Sequence, residues 1–134
     1  MLDHVSFAVN DFSKGIKFYD ETLGVLGIKR LMTFEAEGRQ VAGYGQAEKT
    51  FFWISENKDP NNQELIGKAR GVHIAFTAPS TKSIDEWYKR CLALGGKDNG
   101  APGPRPYYHP GYYGAFIVDP DGWRIEAAFH AYKM

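Results

Sequence analysis

The sequence predicts an α+β protein built from two like modules, and three observations carry that prediction. Residues recur at one offset of 69: His4 falls on His73, Phe7 on Phe76, Phe18 on Trp87, Tyr19 on Tyr88, Leu23 on Leu92 and Gly27 on Gly96. The match runs without a gap through a strand pattern and a helix pattern, which marks an internal duplication. In each copy the apolar period changes from two to helical spacing just behind the histidine. The closing stretch, Gly111–Phe129, reads as strand, tight turn, strand.

In the opening segment, Val5, Phe7 and Val9 fall on one face of a strand, and His4, Ser6 and Ala8 on the other. Asp11 suits a helix N-cap. Phe12, Ile16, Tyr19 and Leu23 then recur at helical spacing, with Lys14, Lys17 and Asp20 off that stripe, and Gly24 and Gly27 end the helix. Three short strands follow, roughly Ile28–Phe34, Gln40–Tyr44 and Thr50–Ser55. Glu56–Gly71 is polar, with Asp59-Pro60-Asn61-Asn62 inside it, and reads as a linker. Module one is thus about 1–56, the linker about 57–70 and module two about 71–134.

Module two opens with Gly71-Val-His73-Ile-Ala-Phe76. A second helix, about Thr81–Leu94, carries Ile84, Trp87, Tyr88, Cys91 and Leu94 as its apolar stripe. Lys97–Gly111 reads as a long insert. It holds Pro102, Pro104, Pro106 and Pro110 and the run Tyr107-Tyr108-His109. Loops of this length without structure of their own are often lids or pocket walls. Phe116, Ile117 and Val118 form a short apolar strand. In Asp119-Pro120-Asp121-Gly122, Pro120 presets φ and Gly122 can take positive φ, so the chain turns there. Ile125, Ala127 and Phe129 then alternate with Arg124, Glu126 and Ala128. Glu126 is a carboxylate on a half-buried strand, and a buried charge needs a partner or a metal.

The totals narrow the function. The chain has 134 residues, 43% of them hydrophobic, enough for a real core. Sixteen basic residues balance sixteen acidic ones, with no basic cluster, which argues against nucleic acid or an anionic membrane as partner. No apolar run approaches the ~20 residues that span a bilayer. Cys91 is the single cysteine, which fits a reducing, cytoplasmic setting and a packing role rather than a nucleophilic one.

A repeated strand–helix–three-strand module, a histidine early in the first strand of each copy, and the closing Asp119-Pro-Asp-Gly-x-x-Ile-Glu126 together resemble the vicinal oxygen chelate superfamily. That group contains glyoxalase I, extradiol dioxygenases, methylmalonyl-CoA epimerase, fosfomycin-resistance thiol transferases and bleomycin-binding proteins. The resemblance spans essentially the whole chain. It implies two tandem βαβββ modules, with mixed sheets curled around a cleft and helices outside. It also implies a divalent metal (Zn, Mn, Ni or Fe) held by residues of the first and last strands, and a homodimer acting on a small molecule.

Carried over residue by residue, the ligand positions are His4, His73, Glu126 and one near Trp53. The alternation of faces agrees for the two histidines and Glu126. Trp53 departs from the pattern, because an indole N–H only donates and cannot bind a metal. Two histidines and one carboxylate leave coordination positions open, as catalytic sites do. Three functions follow from the resemblance. The first is a metal-dependent lyase, isomerase or thiol transferase acting on a vicinally oxygenated metabolite. The second is a metal-free protein that sequesters a small aromatic or cationic molecule. The third is an extradiol-type dioxygenase. With Glu126 as the only carboxylate at the metal, the proton shuttling of glyoxalase I is the less favoured isomerase chemistry. His109 is the candidate general acid or base. Trp53, Arg105, Tyr107, Tyr108, Tyr112 and Tyr113 are the candidate pocket, suited to an anionic or planar ligand.

Overall fold

The computed structural model describes residues 1–58 and 71–133. It divides into two compact units, Met1–Glu64 and Leu65–Met134. Apart from Asn57 and Lys58, the expected linker lies outside the described residues.

In the first unit, β1 (Val5–Val9) leads into α1 (Phe12–Val25), followed by β2 (Lys29–Ala36), β3 (Arg39–Gln46) and β4 (Lys49–Glu56). The sheet order is β1-β4-β3-β2, with β1 and β4 parallel and the other pairs antiparallel. Alternation places Phe7 and Val9 inside. The Asp11 carboxylate accepts from the Lys14 amide at 3.1 Å and caps α1. The helix buries Phe18, Tyr19, Thr22 and Leu23, while Phe12 and Ile16 are only half-buried. The stripe is therefore turned toward Phe18 relative to the expected one. Its rings meet those of the sheet: Phe7 and Tyr19 lie 5.2 Å and 5.1 Å from Phe52. Each such side chain contributes about 1.5–3 kcal/mol by leaving water.

The second unit repeats the order: β5 (Ile74–Thr77), α2 (Thr81–Ala93), β6 (Lys97–Pro104), β7 (Tyr113–Val118) and β8 (Arg124–Phe129), in a sheet ordered β5-β8-β7-β6. Ser80 and Ser83 form a reciprocal capping box at the start of α2. The helix buries Ile84, Trp87 and Cys91. Burial pushes the Cys91 thiol far above its ordinary range, which fits a packing role. Leu92 is 40% exposed although its counterpart Leu23 is fully buried, so the two helices do not present identical faces. The Asp119–Gly122 turn forms as expected. Asp119 Oδ1 accepts from the amides of Asp121 and Trp123, and Gly122 takes φ +101°.

One expectation is corrected. Lys97–Gly111 is not one long insert, because Lys97–Pro104 is strand β6 and pairs antiparallel with β7. Its composition hides it: Gly100, Pro102, Gly103 and Pro104 suppress any apolar alternation. The pairing tolerates them because the register slips between Asp98 and Gly100 and again between Gly100 and Gly103. The true connection is the shorter run from Arg105 to Tyr112, closed by the Arg105 amide on the Tyr112 carbonyl at 2.9 Å.

Candidate functional site

The registers of the two sheets correspond, with the first strands related by 69 residues and the last strands by 73. Ser6 pairs with Trp53 across β1/β4, and Ala75, at the matching position, pairs with Glu126 across β5/β8. Trp53 and Glu126 therefore occupy equivalent places in their units. On the next strand Gly43 faces Trp53, and Phe116 faces Glu126. A Cβ on Gly43 would stand 2.7 Å from the Trp53 ring, so the glycine makes room for the indole. The aromatic ring thus sits on the last strand in one unit and on the neighbouring strand in the other.

In the second unit, Glu126 is 2% exposed although it is charged. Its Oε1 lies 2.9 Å from His73 Nε2, and its Oε2 accepts from the Tyr112 hydroxyl. Gly114 leaves room for this contact, since a Cβ there would meet Tyr112 at 3.1 Å and Glu126 at 3.3 Å. His73 also sets its ring edge-on to Phe116, centroids 6.0 Å apart. Burial, then the bond to Glu126, pushes the Tyr112 phenol well above its ordinary range, which keeps it a neutral donor.

In the first unit, His4 lines a cavity of about 260 Å³ together with Ser6, Phe34, Val41, Trp53 and Ser55. His4 Nδ1 lies 2.7 Å from Asp3 Oδ1, and Lys49 Nζ lies 3.1 Å from Asp3 Oδ2. The His4 bond, with Lys49, holds the Asp3 carboxyl below its usual range. An imidazole that donates from Nδ1 to a carboxylate leaves the Nε2 lone pair free, the arrangement metal-binding histidines commonly show.

The donor chemistry can be tested against the implied metal. Imidazole nitrogen and carboxylate oxygen suit Zn, Mn, Ni or Fe. Two ligands about 2.1 Å from one ion and at a right angle to each other stand about 3 Å apart. His73 and Glu126 share a hydrogen bond of 2.9 Å, which brings one nitrogen and one oxygen donor to the same place. Among the described residues, no three His, Cys, Asp or Glu side chains converge. The pair in the second unit fits as part of a ligand set.

The other expected site residues divide. His109 Nδ1 accepts from the Gly111 amide at 3.0 Å, so its proton sits on Nε2 and points at His130 Nδ1, 2.9 Å away. Both its nitrogens are engaged, and its partner His130 is exposed. Tyr112 packs edge-on against both histidines, at 5.5 Å and 5.0 Å. Tyr107 and Tyr108 are exposed, with rings 4.8 Å apart. Arg105 stacks on Phe116, its guanidinium carbon 5.5 Å from the ring centroid.

Tyr113 lies apart from Tyr112. Side chains alternate along β7, so Tyr112, Gly114 and Phe116 share the Glu126 face and Tyr113 does not. Its hydroxyl donates instead to Asp85 on α2 at 2.7 Å. Burial and that bond push its phenol up to about 12. The folded value lies above the unfolded value near ~10. The contribution to stability is therefore intact below pH ~10 and lost as pH rises toward 12. In Tyr113→Phe, followed by tyrosinate absorbance, one of the late-titrating phenols should vanish. An unchanged titration curve would reject the assignment.

Comparisons with known proteins agree with this architecture. Residues 1–127 match the model of the Glyoxalase/Bleomycin resistance protein/Dioxygenase superfamily. A protein named lactoylglutathione lyase from Neisseria meningitidis serogroup A is 31% identical over 130 residues, covering 92% of this chain and 86% of its own. The structure of a glyoxalase/bleomycin resistance protein from Albidiferax ferrireducens T118 superposes with a TM-score of 0.73 at 30% identity, covering 94% of this chain and 96% of that one. Glyoxalase I from Zea mays gives a TM-score of 0.71 at 26% identity, but this chain matches only 45% of its length. No helix among the described residues is long and apolar enough to cross a membrane. With its two βαβββ units, the matching registers and the Asp119–Glu126 closing strand, the chain belongs to the Glyoxalase/Bleomycin resistance protein/Dioxygenase superfamily, of glyoxalase-like type.

Proposed function

We propose that the protein is a metal-dependent enzyme that acts on a small, vicinally oxygenated metabolite as a lyase, isomerase or thiol transferase. His73 and Glu126 hold the divalent ion, and His4 is the third donor. The observation that carries this reading is Glu126, a carboxylate 2% exposed with an imidazole nitrogen 2.9 Å from it. Burying that charge costs several kcal/mol and is justified where a cation takes the place of the shared proton. His4, held by Asp3 with Nε2 free, supports its inclusion.

When bound, the ion supplies Lewis acidity for substrate oxygens on adjacent carbons. The chain's own residues do the rest. Tyr112 donates to Glu126 Oε2 and fixes the orientation of the carboxylate. Glu126 is the carboxylate of this sheet face and the base nearest a substrate carbon placed there. Trp53 holds in its own sheet the place that Glu126 holds in the other, and an indole there moves no proton. One base favours a reaction that takes a single proton from carbon, or none. The lactoylglutathione lyase reaction named for the Neisseria relative is the first to assay, with thiol addition beside it.

A second reading has its own observation. Both oxygens of Glu126 already have donors, His73 and Tyr112, as a metal-free binding protein would need. Metal content separates the two. Protein purified without chelator should hold about one ion per chain by mass spectrometry, and His73→Ala should hold about a tenth of that or less. No retained metal after loading with zinc, manganese, nickel or iron(II) would leave the binding reading alone.

A further inference from the structure

Arg105 is more constrained than a surface arginine needs to be. Its Nη1 donates to the Gly103 carbonyl at 2.8 Å and its Nη2 to the Ala101 carbonyl at 2.7 Å. These carbonyls lie where β6 slips register against β7. Gly100 and Gly103 clear its place: a Cβ on either would stand 3.4 Å or 3.3 Å from the guanidinium. Phe116 closes one side at 5.5 Å. Four features therefore hold the planar group in one position, and two of its five N–H groups are used.

That position lies on the working face. Phe116 pairs with Glu126 across β7/β8, and directly paired residues share a face of the sheet. Phe116 also touches the His73 ring. The guanidinium is thus stacked over the ring beside the His73–Glu126 pair. Yet among the described residues Arg105 forms no ion pair, because Glu126 is committed to His73 and Tyr112. Neutral carbonyls satisfy the hydrogen bonds of a guanidinium and leave its charge uncompensated. A fixed planar cation with unused donors is a receptor for a carboxylate or phosphate oxygen pair.

We propose that Arg105 anchors an anionic group of the substrate, a carboxylate or a phosphate, over Phe116 and beside the His73–Glu126 pair. The inference deepens the enzyme reading and rests on it for the word substrate. It makes that substrate an anion whose oxygenated carbons lie a few bonds from the charged group. It also selects against cationic ligands, which Arg105 repels.

The test uses the full chain, chelator-treated, at low salt. Malonate and inorganic phosphate are titrated against it by NMR, with neutral malonamide as control, in the native protein and in Arg105→Lys and Arg105→Gln. Melting curves confirm that the variants fold, and Arg105→Lys keeps the charge should the glutamine variant not fold. At least one anion should shift the resonances of Phe116 and Tyr112 saturably, and malonamide should not. Binding should weaken about ten-fold or more in either folded variant, since the fork geometry contributes as well as the charge. The tighter of the two anions names the group. No saturable response in the native protein, or equal binding in a folded variant, overturns the proposal. Metal content of the native protein separates the two readings. Anion binding by a native protein that retains no metal after loading sinks the metal reading and leaves Arg105 standing. Retained metal without an anion response does the reverse.

Discussion

Glu126→Gln should abolish metal retention while leaving the fold intact. A glutamine carbonyl can still accept from His73 Nε2, and its amide can donate to the Tyr112 oxygen once that hydroxyl rotates. The substitution therefore costs stability only about 1 kcal/mol. What it removes is the negative charge, and a divalent ion binds a neutral amide oxygen far more weakly. A loss of about 100-fold or more in affinity is expected, beyond that typical of outer-shell changes. Glu126→Leu is the contrast. It leaves the Tyr112 hydroxyl and the His73 N–H facing an apolar side chain, at about 1–3 kcal/mol for each group that water cannot reach. Metal content and melting temperature measured on both variants separate the two roles. A glutamine variant that keeps native metal stoichiometry would rule Glu126 out as a ligand.

The largest stability effect should come from Gly45→Ala. Gly45 faces Thr50 where β3 and β4 slip register. A Cβ there would stand 1.8 Å from the Lys49 carbonyl oxygen and 2.8 Å from the Thr50 Cα. Both are backbone atoms, so no side chain can swing aside. The β3–β4 hairpin must open and give up ladder bonds, at about 3 kcal/mol. Gly24→Ala in α1 is the control. Nothing lies within 4 Å of its added methyl, so the helix should gain up to about 1 kcal/mol. Urea unfolding of both variants checks the pair. A Gly45→Ala midpoint equal to that of the parent would show that the hairpin absorbs the methyl.

The sequence is legible where one side of an element is apolar. Phe7 and Val9, the Asp11 cap, Tyr19 and Leu23 of α1 and the Asp119–Gly122 turn all carry local signals that the structure obeys. The offset of 69 residues relates Ser6 to Ala75, and their strand partners Trp53 and Glu126 correspond although they lie 73 residues apart. Strand β6 was illegible because its glycines and prolines answer to Arg105 and to the register slips, not to a core. Tyr112 and Tyr113 could not be told apart for a simpler reason. In Tyr112-Tyr113 the residue types are the same, and only the pleat decides which one meets Glu126 and which meets Asp85. The His109–His130 contact joins a loop to the chain after the last strand, and no local pattern announces such a pairing.

Strands β2 and β6 hold corresponding edges of their sheets, and those edges differ in how they meet a foreign chain. On β6, Pro102 and Pro104 lack N–H groups, and Arg105 already occupies the Ala101 and Gly103 carbonyls, so a newcomer finds few groups to pair with. Strand β2 contains no proline, and Leu31, Met32 and Phe34 are 40%, 48% and 44% exposed. Its charges at Lys29, Arg30 and Glu35 and one bulge are its only gatekeepers. The β2 edge is therefore the less protected of the two against strand addition, and Leu31→Lys is the single change expected to protect it.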